Sequence, residues 1–67
     1  MTEQGQMIID SIIDTFKTGD EIGHSVIQRK FKIGYNLAYK VIDKLKLMGK
    51  LKETKYSHLG VWVFNAL

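Results

Sequence analysis

Two short amphipathic segments flank Lys32-Ile33-Gly34, and this spacing constrains the fold more than any other feature of the chain. Upstream, Ile27 and Phe31 share one helical face, while Gln28, Arg29 and Lys30 are polar. Downstream, Ala38, Val41, Ile42, Leu45 and Met48 recur at the helical period, and Asn36, Lys40, Asp43, Lys44 and Leu47 project from the other side. The pattern predicts a helix beginning at Ser25, a tight turn in which Gly34 relieves the steric limits on the backbone, and a helix over 35–48. Ser25 and Gln28 have the spacing of a capping box, in which the serine oxygen takes an early backbone N–H and the glutamine reaches back. Gly49 suits a left-handed closing residue, with Lys46 and Lys50 near the helix's negative end.

Elsewhere the chain has no proline, so glycine carries the punctuation. Ile8, Ile9, Ile12, Ile13 and Phe16 form one stripe, opposite Gln6, Asp10, Ser11, Asp14 and Lys17, and predict a helix over 3–17. Thr18-Gly19-Asp20 ends it, and Glu21-Ile22 reads as a very short strand. The remainder reads as a hairpin, with a polar strand over 51–56, a turn at Ser57-His58-Leu59-Gly60 and a β-branched and aromatic strand over 61–64. Either Val61 and Val63 or Trp62 and Phe64 face the core of that strand. The alternative makes Trp62 and Phe64 a surface for a homodimer or a protein partner. The expected architecture is α+β: a winged helix-turn-helix with three helices and a C-terminal two-stranded β-hairpin wing, one domain over residues 1–67.

Stability must come from that packing. A 45% hydrophobic content is ordinary for a folded domain, and the absence of cysteine removes both disulfides and thiolate zinc sites. His24 and His58 are too few and too far apart in sequence for a metal set. Asp10 and Asp14 share a polar helix face with no accompanying nucleophile, so an enzyme, a cofactor or a small-molecule substrate is not expected. No apolar run approaches the ~20 residues of a membrane span, and no basic-then-apolar leader opens the chain, so a soluble cytoplasmic protein is expected.

Charge is distributed unevenly. Residues 1–27 carry five carboxylates against Lys17, a balance of −4. Residues 28–56 carry nine cations against Asp43 and Glu53, a balance of +7, which leaves the chain at +3. A basic half joined to an acidic half points to a polyanion on one side. The second of two helices joined by a short glycine-containing turn fits the major groove of duplex DNA, which is about 12 Å wide. Residues able to reach base edges lie near that helix's N-terminus and away from the core, namely Asn36, Tyr39, Lys40 and Asp43. Asparagine can pair with adenine, lysine can donate to guanine, and a carboxylate can accept from cytosine. Arg29, Lys30, Lys32, Tyr35, Lys44, Lys52 and Lys55 are placed to meet phosphates, which sets affinity and register.

The run Ser25-Val26-Ile27-Gln28-Arg29-Lys30-Phe31-Lys32-Ile33-Gly34-Tyr35-Asn36 resembles the C-terminal gamma domain of FtsK/SpoIIIE-type DNA translocases. That family carries a serine, two aliphatics and a Q-R-R/K-x-[RK]-I-G-Y-N stretch, then an alanine and a basic position. Ala38, Lys40, Val41, Ile42 and Asp43 continue the match, and Gly49 with Leu51 falls where the family's helix closes. The similarity covers roughly residues 7–64 and is specific over 25–43. It implies a winged helix that reads short, oriented, guanine-rich sites, through positions matching Asn36, Lys40 and Asp43. Leu37 departs from the family's usual arginine, Tyr39 replaces a small residue, and Lys40 lacks arginine's bidentate fork. The chain also lacks the G-x-x-x-x-G-K-[ST] run of the translocase motor. The opening Met1-Thr2 and the lack of a tag-like sequence lean toward a stand-alone regulator over an excised domain.

Overall fold

The computed structural model describes residues 2–66. Helix α1, Glu3–Thr15, starts where Thr2 Oγ1 accepts the Gly5 N–H at 3.1 Å and ends where Phe16 turns extended. Its stripe buries Ile8, Ile9 and Ile12, whereas Ile13, at the stripe's edge, is partly exposed. The helix is two residues shorter than its periodicity predicts. Lys17 is drawn into a turn with Asp20, whose carboxylate accepts the Lys17 N–H at 2.8 Å. No helix among the described residues is long and apolar enough to cross a membrane.

Strand β1, Glu21–Gly23, leads directly into helix α2, His24–Phe31. Helix α3, Tyr35–Leu47, follows across three residues. Strand β2, Leu51–Lys52, and strand β3, Val61–Phe64, complete the fold, with a 3₁₀ turn at Ser57–Leu59 between them. The two-stranded hairpin expected from sequence is instead a three-stranded antiparallel sheet in the order β1-β3-β2. Ile22 lies opposite Trp62, and Leu51 opposite Phe64. Only two of the residues over 51–56 pair as a strand. The rest fold around Thr54, whose hydroxyl takes the Tyr56 N–H and donates to the Val61 carbonyl.

Alternation along β3 settles which aromatic residues face inward: Trp62 and Phe64 are buried, and Val61 and Val63 are half-buried. Both rings of the pair therefore point into the fold. They join Ile22, the α1 isoleucines, Ile27 of α2, and Ala38, Val41, Ile42 and Leu45 of α3 in one core. Met48, expected on that inner face, caps α3 and is partly exposed.

Two local expectations are corrected. Ser25 does not cap α2, because the cap is Gly23, which has no side-chain bond to give. Pairing of Gly23 with Val61 holds residue 23 extended, so the helix begins ahead of Ser25 and leaves that serine exposed in its first turn. In the turn between α2 and α3, the left-handed residue is Lys32 (φ 53°), while Gly34 is extended (φ −76°, ψ 168°). The Lys32 and Ile33 N–H groups both return to the Gln28 carbonyl, which requires the left-handed geometry at residue 32. At the end of α3, Gly49 (φ 73°) is left-handed as expected. Gly49 N–H bonds the Lys46 carbonyl and Lys50 N–H the Leu45 carbonyl, the two bonds of a Schellman closure.

Gly23 has a further constraint: a Cβ there would run into the Gly60 carbonyl oxygen. The backbones of β1 and the 3₁₀ turn touch at this point. We expect Gly23→Ala to destabilise the domain by about 1–3 kcal/mol through overpacking. Lys32→Gly should raise stability by up to about 1 kcal/mol, because glycine accepts the left-handed conformation without the Cβ clash. Urea unfolding of both variants checks these signs.

Candidate nucleic-acid interface

The outer face of α3 is defined by what its inner face buries. With Ala38, Val41, Ile42 and Leu45 turned into the core, Asn36, Lys40, Asp43 and Leu47 fall on one exposed stripe. Leu47 is 82% exposed, and a shallow depression of about 350 Å³ is lined by Lys40, Asp43, Lys44 and Leu47. Tyr35 and Tyr39 occupy the neighbouring stripe, with their ring centroids 6.1 Å apart. The structure thus places Asn36, Tyr39, Lys40 and Asp43 together on the outer side of α3, all exposed. Leu37 is half-buried and packs on the core, on the inward-leaning flank of α3.

The expected phosphate contacts divide into three groups. Arg29 and Lys30 end α2, and Lys32 stands exposed in the left-handed turn. Lys30 Nζ also lies 5.5 Å from the Phe16 ring, which anchors it toward α1. Lys52 lies exposed on β2, and Lys55 Nζ sits 5.2 Å above the Tyr56 ring in the loop after β2. Tyr35 and Lys44 are exposed at opposite ends of α3. Neither α2 nor α3 has a side-chain bond at its N-cap.

His24, Lys46 and the 3₁₀ turn are not legible in the sequence as site features. Lys46 Nζ lies 4.4 Å from the Trp62 ring centroid, and His24 is half-buried among Tyr35, Tyr39 and Trp62. The tyrosines at helical spacing are visible in the sequence, but nothing in spacing connects residue 24 with residue 62. The His24 pKa is lowered from its ordinary value, first by burial and then by the positive charge of Lys46. His24 Nε2 is buried with no hydrogen-bond partner among the described residues. Those residues contain no group of three or more His, Cys, Asp or Glu side chains able to hold a metal ion.

Comparison of the chain with protein-family models, with curated proteins and with solved structures finds no match.

The lowered His24 pKa fixes the sign of one pH effect. Below the ordinary imidazole value of 6.5 the unfolded chain takes up a proton at this residue before the folded chain does. The His24 contribution is therefore fully present above that value and is lost as pH falls toward the lower folded pKa. We expect the midpoint of thermal unfolding to fall on acidification from neutral pH to about pH 5, and His24→Phe to flatten that dependence.

Proposed function

We propose that this domain is a winged helix-turn-helix that binds duplex DNA with sequence specificity, docking α3 in the major groove. The observation that carries the reading is the exposed stripe of Asn36, Lys40 and Asp43 on a helix whose opposite face is wholly committed to the core. Such a helix can enter a groove without giving up packing, and its side chains have the donor and acceptor chemistry of base readers. Tyr39 stands beside that stripe as a further base contact. Helix α2, three residues away, supplies the second member of the motif, and the 3₁₀ turn with its flanking lysines acts as the wing. Arg29, Lys30, Lys32, Tyr35, Lys44, Lys52 and Lys55 meet the phosphates.

The resemblance to the FtsK/SpoIIIE gamma domain supports the same docking mode, with a target altered by Tyr39 and Lys40. In this reading the chain is a cytoplasmic, non-enzymatic reader of duplex DNA, used by a small regulator or by a translocase. The alternative of a protein-interaction surface made from the aromatic wing gains nothing from the geometry, since both Trp62 and Phe64 point inward.

Selection of binding sites from random duplex DNA tests the reading. A defined motif is expected, and Asn36→Ala or Lys40→Ala should each weaken binding to it by about 1–3 kcal/mol with relaxed preference at one base position. Replacing Lys52 or Lys55 with alanine should instead weaken binding to all sequences alike and reduce the salt slope by about one for each lysine replaced. Absence of any enriched motif would overturn specific recognition.

A further inference from the structure

His24, Tyr35, Tyr39 and Trp62 form a connected ring cluster joining the starts of α2 and α3 to β3. His24 stacks on Tyr39 with centroids 5.6 Å apart and planes 10° from parallel. It lies 5.4 Å from Tyr35 and meets Trp62 edge-on at 5.6 Å. A cluster serving only as core would be covered, yet Tyr35 and Tyr39 are 55% and 52% exposed. The rings border an open hollow of about 610 Å³ whose lining includes His24, Tyr35 and Trp62 together with Gln28, Ser57 and His58. Its volume is that of a small-ligand site.

The chemistry of the lining narrows the occupant. No carboxylate contributes to it, and Glu21 lines a separate hollow of about 210 Å³ next to Gly23, His24 and Gly60. Ser25 and Gln28 offer donors and acceptors at the wall, and Ser57 Oγ accepts the Thr54 N–H, which leaves the serine proton to donate. Lys46 adds positive charge at the Trp62 ring. An aliphatic ligand would leave these polar groups unpaired. A planar heterocycle with a polar edge and an anionic tail satisfies the stacking faces, the polar wall and the absence of acid together.

The geometry points to a binding site for an unpaired nucleotide of a DNA strand, stacked on the exposed ring of Tyr35 in the hollow that His24 and Trp62 also line. This inference rests on the duplex reading, which supplies the strand: Asn36 and Lys40 hold the paired segment, and the adjoining hollow takes a base beyond its end. The domain then binds a duplex that continues into a single strand more tightly than a blunt one.

Equilibrium binding to a short blunt duplex, to the same duplex with a thymidine overhang, and to oligothymidine alone tests the site. Trp62 is the single tryptophan and lines the hollow, so its fluorescence reports occupancy directly. The overhang should tighten binding about fivefold or more and quench that fluorescence. In Tyr35→Ala the ratio of overhang to blunt affinity should fall to one, whereas Tyr35→Phe should keep it. An overhang ratio of one in the unaltered protein, or a ratio that survives Tyr35→Ala, overturns the proposal. Failure of the duplex reading shows separately, as blunt binding that is undetectable or insensitive to Asn36→Ala. In that event, oligothymidine binding that quenches Trp62 and is abolished in Tyr35→Ala supports the site, and its absence refutes it.

Discussion

Everything in this domain leans on the central strand. β3 pairs with β1 along one edge and β2 along the other, and its inward residues Trp62 and Phe64 supply the largest side chains of the core. Phe64 N–H donates to the Asp20 carbonyl and Gly19 N–H to the Phe64 carbonyl, which ties the end of α1 to the sheet. Asn65 N–H reaches the Lys50 carbonyl just beyond α3. One short strand therefore holds together the segment after α1, the start of α2 and the segment after α3. The contact between Gly23 and Gly60 belongs to the same arrangement, since it lets the turn before β3 lie against the start of α2.

This dependence explains how the exposed face of α3 is presented. A helix rich in lysine and tyrosine gains little from its outer surface, and its placement comes from the four buried residues beneath it. That support from below leaves Asn36, Lys40 and Asp43 exposed on the outer face with no part in the core. The left-handed Lys32 shows a related trade. It occupies a conformation that glycine adopts more readily, and it places a cation in the turn between the two helices.

How much of this is legible in the sequence follows from the range of the interactions. The three helices, the Gly49 closure and the buried face of α3 are set by neighbours three or four residues apart, and periodicity reveals them. The capping role expected of Ser25 fails because a strand pairing with Val61, far along the chain, holds Gly23 extended and moves the helix start. The third strand escapes the sequence for the same reason: Glu21-Ile22 is visible as a strand fragment, but its partner is not. Within the site, the outward positions of Asn36, Lys40 and Asp43 follow from helix geometry alone. The ring cluster around His24 joins three separate elements and has no signature at any fixed spacing.

The position of β3 in the chain has a consequence for biosynthesis. It is the last of the described elements to leave the ribosome, yet it is the strand on which the others close. While β3 is still in the exit tunnel, α1, α2 and α3 can form only as transient, partly packed helices, with the apolar face of β1 open to solvent. Folding of this domain therefore waits for β3, and α3 gains its fixed orientation only when that strand arrives.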